Sequence, residues 1–302
     1  MIRLGIVDFD TSHVIAFTQR LNHVDVDEEQ WVDGAKVVAG CPGESVLSPE
    51  RIPGYTEQMK EYGVPLVDKP EELIGQVDAV LIESVDGHAH YNRTVPFIEA
   101  GVPVFVDKPF TCNLAEAKEL ASLAESKNVP MFSSSSLRYG VEVIEIQQKA
   151  DETGAILGAE VCSPAPTNPH NPGLFHYGIH GVETLYTLMG AGCEAVWSAS
   201  NDDVDVVTGQ WRDGRIGTMR GIRKGVQGYG YTVYGEKSIV RSSINASYIY
   251  RELLKQVVKM FETGKPPIDT SETVEIVAFI EAVMKSAEND GAKTELEYIA
   301  PC

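Results

Sequence analysis

The first 133 residues alternate short apolar runs with amphipathic stretches, and no other feature narrows the possible folds as far. Residues 3–7, 35–39, 78–82, 104–106 and 129–132 read as buried strands, because they are mostly apolar runs rather than apolar only at every second position. Between them, residues 14–21, 49–62, 90–100 and 114–126 carry helical patterns, the last with Asn113 as a candidate N-cap. Strands and helices in strict succession, joined by short connections, call for right-handed crossovers. The expected class is α/β, with a doubly wound parallel sheet.

The pattern changes at the four serines 133–136, a polar run suited to a hinge or a loop on the catalytic face. Residues 141–149 look helical and 156–161 strand-like. The stretch 164–172 contains four prolines and reads as an irregular loop. A helix is expected over 174–189, ending at Gly190. From 195 to 241 strands follow one another, punctuated by turn residues such as Asp213-Gly214 and Tyr234-Gly235, which suggests a mainly antiparallel sheet. Helices over 248–261 and 273–288 close the chain. The expected division is 1–133 and 134–302.

The 302 residues carry a net charge of −19, which argues against nucleic acid and against an anionic membrane surface as partners. Cys41, Cys112, Cys162, Cys193 and Cys302 are scattered and form no CxxC pair, so neither a disulfide framework nor a cysteine zinc site is expected. The amino terminus runs straight into a strand without the apolar core of a leader peptide, and a cytoplasmic protein is the simplest expectation.

Two features stand out as candidates for chemistry. Lys108 follows the apolar run 104–106, and Pro109 ends that strand by removing a backbone donor. Ligands of open α/β sheets bind beyond the carboxyl ends of the strands, so Lys108 is placed for a crevice. His176 and His180, four residues apart, would share one helix face, either as a packing feature or facing a cleft.

The stretch ESVDGHAHYNRTVPFIEAGVPVFVDKPF, the segment SSSSLRYGVEVIEIQQ, the helix HYGIHGVETLYTLMG and the carboxyl-terminal MFETGKPPIDTSETVEIVAFIEAVMKSAENDG occur in this order. Together they resemble the Gfo/Idh/MocA oxidoreductases over nearly the whole chain. The resemblance implies a Rossmann-type dinucleotide-binding domain over 1–133. It also implies an α/β substrate-binding and oligomerisation domain over 134–302, with a mainly antiparallel open sheet and a homodimer or homotetramer as assembly. It implies NAD or NADP as cofactor and a sugar, polyol or related hydroxylated small molecule as substrate. Lys108 falls on the family's EKP lysine, with Asp107 replacing the glutamate. His180 falls on the histidine that is the acid/base partner in many members, while His176 and Glu183 stand where aspartates are common. A cationic Lys108 would stabilise a developing alkoxide, leaving proton transfer to His180. Tyr139 and Tyr177 are candidates to line the substrate pocket.

The turn after the first strand departs from the family. Asp8 and Asp10 occupy the places of the first two glycines, and His13 that of the third small residue. Carboxylates beside a pyrophosphate repel it by roughly 1 kcal/mol per close pair in water. Asp10, Thr11, Ser12 and His13 are nevertheless the positions that would line a dinucleotide here, with Ser84, Val85, Asp86, His90 and Lys108. His90 has a cap or core hydrogen bond as its alternative role. Glu44 is a candidate for the ribose 2′-hydroxyl, and no arginine is placed for a 2′-phosphate, so NAD is preferred to NADP.

Two other functions compete. A metal-dependent isomerase or lyase would use His170, His176 and His180. A non-catalytic ligand-binding or regulatory homologue would have lost its cofactor turn. The dehydrogenase reading itself includes no metal.

Overall fold

A computed structural model describes residues 1–301, which form two compact units. The first comprises Met1–Thr111, Ala115–Ser134 and Tyr250–Thr270; the second comprises Cys112–Leu114, Ser135–Ile249 and Ser271–Cys302, described up to residue 301.

In chain order, the first unit begins with β1 (Ile2–Val7), α1 (His13–Asn22), β2 (Ala35–Cys41), α2 (Ile52–Glu61), β3 (Ala79–Ile82), α3 (His90–Glu99) and β4 (Val104–Val106), followed by α4 (Leu114–Lys127) and β5 (Met131–Ser133). The five strands are parallel in the order β2-β1-β3-β4-β5. Leu4, Ile6, Val7, Val80, Leu81, Ile82, Val104, Phe105 and Val106 are fully buried, as a sheet covered on both faces requires. Each such side chain contributes on the order of 1.5–3 kcal/mol. Strand order reverses between β1 and β3, and the crevice beyond that switch point is where this architecture receives ligands.

The second unit continues with α5 (Val141–Gln148), α6 (Ala150–Thr153), β6 (Ile156–Pro164), α7 (Ile179–Met189), β7 (Cys193–Ser200), β8 (Val204–Trp211), β9 (Ile216–Ile222), β10 (Gly230–Gly235) and β11 (Ile239–Ser243). Then come α8 (Ile249–Thr263), α9 (Thr270–Glu288) and β12 (Thr294–Glu295). The seven strands run in the order β11-β10-β6-β9-β8-β7-β12, antiparallel except for the β6–β9 pair. Helix α7 lies close against the sheet because Gly181 has no side chain: a Cβ there would meet Met219 Cε at 2.6 Å and Ser163 Cβ at 2.9 Å. Helix α9 adds Phe279, edge-on to Tyr186 at 5.6 Å. Its fully buried Glu275 accepts backbone N–H groups from Gly192, Cys193 and Ala300.

Three local expectations change. The helix expected over 174–189 is a 3₁₀ turn at Gly173–Phe175 and then α7, with His176, Tyr177 and Gly178 between them. The polar run 133–136, where one unit gives way to the other between Ser134 and Ser135, is not exposed: all four side chains are buried, Ser133 within β5 and Ser136 opening a 3₁₀ turn, Ser136–Tyr139. Helix α8, expected with the carboxyl-terminal part, contributes Tyr250–Thr263 to the first unit, where Tyr250 packs edge-on to His13 and Phe17. Among the described residues no helix is long and apolar enough to cross a membrane.

Candidate functional site

At the end of β1, Asp8 adopts the left-handed conformation (φ 66°) that a glycine would take most easily, and aspartate is one of the few residues to tolerate it. Its side chain turns inward. Arg93 Nε, from α3, donates to Oδ1 and Oδ2 at 3.2 and 3.0 Å. Gly43 leaves the space beneath: a Cβ there would stand 1.9 Å from Asp8 Oδ1. Burial nevertheless pushes the Asp8 carboxyl up to about 6, outweighing Arg93.

Asp10 is also fully buried and joins three strand-end segments. Its Oδ1 accepts the Val85 N–H beyond β3 at 3.0 Å, and its Oδ2 accepts the Ser45 hydroxyl beyond β2 at 2.6 Å. Burial raises its carboxyl despite these bonds. Thr11 Oγ1 accepts the His13 N–H at 3.3 Å, and Ser12, at the start of α1, is exposed. The carboxylates are therefore tied into the fold, and the exposed part of the turn is a serine at a helix amino terminus. The repulsion expected from the sequence is largely removed.

The loop after β3 is held from within. Ser84 Oγ accepts the Asp86 N–H, and Asp86 Oδ1 accepts the His88 N–H. His90 is fully buried, with Nδ1 2.7 Å from the Pro109 carbonyl and Nε2 2.8 Å from the Ser84 carbonyl. Both ring nitrogens thus face backbone, so direct cofactor contact gives way to a tie between two strand-end loops.

Beneath these loops lies a cluster that the sequence reading does not assemble. His13 Nδ1 is 2.7 Å from Asp107 Oδ2 and 3.8 Å from Glu83 Oε2. Asp107 Oδ1 accepts the Lys108 N–H at 2.8 Å, and Lys108 is itself buried, 8 % exposed. Burial, and then the Asp107 charge, hold the Glu83 carboxyl well above the ordinary range. Asp107 is pushed upward by burial, but the facing His13 and Lys108 hold it below its usual value. The available signal for Glu83 is its place directly after a wholly apolar strand, where a carboxylate enters the crevice end of the sheet.

In the second unit, His180 sits on the first turn of α7, nearly buried, with Nδ1 2.7 Å from Ser135 Oγ. The same oxygen accepts the Leu137 N–H at 3.1 Å. Tyr177, 37 % exposed, stands edge-on to His180 with ring centres 4.9 Å apart, and lies 6.3 Å from the His176 ring. Tyr139 is half-buried at the end of its 3₁₀ turn. Its neighbour Arg138 is buried between Glu183 and Glu272, bonding the first through Nε and the second through Nη2 at 2.6 Å. Glu183, raised by burial against the pull of Arg138, is thus committed to an ion pair. His170, His176 and His180 do not converge as a metal-ligand group. Among the described residues, the His/Cys/Asp/Glu group with ligand atoms close enough for a shared ion is His13, Glu83 and Asp107.

Residues 48–135 match the family described as the Gfo/Idh/MocA oxidoreductases with an NAD-binding Rossmann fold. Over these residues the chain is similar to the Gfo/Idh/MocA oxidoreductases. Myo-inositol 2-dehydrogenase of Thermotoga maritima is 22 % identical over 93 % of this chain and 97 % of its own length. Other curated relatives align only in part: the chain spans 53 % of YceM of Salmonella typhimurium at 26 % identity and 38 % of the uncharacterized oxidoreductase YhhX of Escherichia coli at 27 %. Those matches cover 55 % and 40 % of this chain. The Lactobacillus casei myo-inositol dehydrogenase, solved with NAD(H) and myo-inositol, superposes with a TM-score of 0.79 at 14 % identity, covering 100 % of this chain and 98 % of that one. The scyllo-inositol dehydrogenase of the same organism gives 0.80 at 16 %, covering 98 % of both. At these identities the superpositions establish the fold. The family match begins after the Asp8–His13 turn, so this part of the site has to be judged on its own geometry.

On that geometry the turn fits a dinucleotide. Asp8 keeps the glycine-like backbone, both carboxylates are held internally, and the first N–H groups of α1 lack intrahelical partners.

Proposed function

We propose that this chain is an NAD-dependent oxidoreductase acting on a hydroxyl-bearing carbon of a sugar, polyol or related small molecule. The observation that carries the reading is Lys108, held almost buried at the carboxyl end of β4 beside two carboxylates in a chain similar to a family whose fold binds NAD. The likeness to inositol dehydrogenases supports a polyhydroxylated substrate. Ser12, the first turn of α1 and the Ser84–Asp86 loop would hold the dinucleotide. Glu44, exposed just beyond β2, favours NAD: its carboxylate can accept from a ribose hydroxyl and repels a 2′-phosphate. The nicotinamide supplies the hydride acceptor or donor.

Lys108 stabilises negative charge on the substrate oxygen, an effect that is large where water is excluded. His180 moves the hydroxyl proton through Nε2. To accept there it keeps a hydrogen on Nδ1 and donates it to Ser135 Oγ, whose other lone pair takes the Leu137 N–H. Ser135 is accordingly a positioning residue, while Tyr177 and Tyr139 contribute to substrate binding. A homodimer or homotetramer is part of the same reading. The free thiols Cys41, Cys112, Cys162 and Cys193 suit a reducing, cytoplasmic compartment.

The test pairs cofactor titration with turnover. NADH fluorescence should report binding by the wild-type chain, and NAD⁺ should be reduced in the presence of one of a panel of inositols and hexoses. Lys108→Met should retain NADH binding and lose turnover. Absence of binding by both NADH and NADPH at millimolar concentration would overturn the proposal.

A further inference from the structure

The buried cluster at the crevice end of β1, β3 and β4 has a chemistry that hydride transfer does not use. Glu83 has no exposed surface, and neither carboxylate oxygen receives a hydrogen bond. An orphaned buried acceptor of this kind costs about 1–3 kcal/mol, and more when charged. It is aimed at two other potential ligands. One ligand atom from each of His13, Glu83 and Asp107 lies within 4.8 Å of the others, and all three side chains are buried. Carboxylates outnumber the cationic groups here. Glu83, Asp107 and the neighbouring Asp10 face a single ammonium, that of Lys108.

We propose that His13, Glu83 and Asp107 form a binding site for one divalent transition cation of the Zn²⁺ or Mn²⁺ class. One imidazole nitrogen and two carboxylate oxygens are the ligand types such ions take, at about 2.0–2.2 Å for zinc, with a fourth position left for water. His13 Nδ1 and Asp107 Oδ2, now hydrogen-bonded at 2.7 Å, would move apart by a few tenths of an ångström to share the ion. A divalent cation would give Glu83 the partner it lacks. The ligands arrive from the start of α1 and from just beyond β3 and β4, elements whose strands are hydrogen-bonded neighbours, so the cluster is preorganised by the sheet. The ion would lie beside Lys108, where it adds positive charge at the crevice.

The site is tested on the full chain, independently of dehydrogenase activity. Protein purified without chelator is analysed for metal by mass spectrometry, stripped, and titrated calorimetrically with ZnCl₂ and then MnCl₂. The expected result is about one equivalent of one ion per chain, with a rise in melting temperature on loading. Glu83→Gln and Asp107→Asn should each weaken binding at least tenfold and abolish that rise, with circular dichroism confirming that each variant folds. Two results would overturn the proposal: no binding of either ion by the stripped wild type, or unchanged binding in both variants. In the first case, a Glu83→Gln chain more stable than wild type would identify Glu83 as a buried neutral acid. NADH titration of the same samples distinguishes failure of the metal site from failure of the redox reading, since either can be lost alone.

Discussion

Arg93 Nε reaches both carboxylate oxygens of Asp8, at 3.2 and 3.0 Å, yet the Asp8 carboxyl stays raised, at about 6. Burial outweighs the ion pair, so the native state holds a proton that the unfolded chain, with its ordinary value of 3.8, releases. This contribution is fully present below pH 4 and disappears as pH rises through 6. Over that window Asp8 should remove about 3 kcal/mol of stability at most. Urea unfolding at pH 4, 5, 6 and 7 should show the decline in wild type, and Asp8→Asn should flatten it. An equally steep decline in the variant would locate the effect elsewhere.

Asp10 should act as a staple for the crevice. Replacing it with alanine removes the acceptor for both the Val85 N–H and the Ser45 hydroxyl. A loss of about 2–4 kcal/mol is expected, since hydrogen bonds to a charged group contribute roughly 1.5–3 kcal/mol each and do not add fully. NADH affinity should fall with it as the loops beyond β2 and β3 loosen. Denaturant midpoints and NADH titration measure the two effects separately.

His180 and Ser135 should separate kinetically. His180→Gln is expected to lower kcat/KM by about 10²–10⁴-fold, the usual contribution of an acid/base group. Ser135→Ala leaves the imidazole in place without its Nδ1 partner. It should lower kcat more than it raises KM and shift the pH–rate profile. An unchanged profile would reduce Ser135 to its backbone role at Leu137.

Arg138→Met should be among the most damaging substitutions in the second unit. It strands two carboxylates, Glu183 and Glu272, around an apolar side chain. Breaking such a buried arrangement costs about 3–5 kcal/mol. Adding Glu183→Gln should restore part of that loss, and unfolding of the single and double variants gives the comparison.

The parallel strands of the first unit are legible because each is a short, mostly apolar run. Lys108 is legible for a related reason: it follows such a run and precedes a proline. What periodicity does not carry is the direction of a polar side chain at a strand end. Asp8 and Asp10 read as an acidic obstruction until Arg93 and Ser45, distant in sequence, are seen to take up their oxygens. His90 stands where the family has a frequent histidine, but the orientation of its ring depends on the Pro109 and Ser84 carbonyls. Glu83 is marked in the sequence only by its place after an apolar strand, and its neighbours His13 and Asp107 emerge once three strand ends are brought together. The break before α7 escapes notice because Leu174, Phe175 and Ile179 continue an apolar spacing that suits a helix. Gly178 is needed there for contact rather than conformation, since a Cβ would meet Leu174 Cδ2 at 2.5 Å.

Ala159 of β6 is registered with both Val233 of β10 and Gly217 of β9, although β6 is the first of its sheet to be made. A chain emerging from the ribosome must therefore carry that strand unpaired until two later ones arrive, and the first unit likewise waits for α8. Neither body can close until the segments that contain α8 and α9 have been made. A message truncated before Tyr250 would yield two incomplete cores, and thus a substrate for chaperones and proteases rather than a smaller working protein.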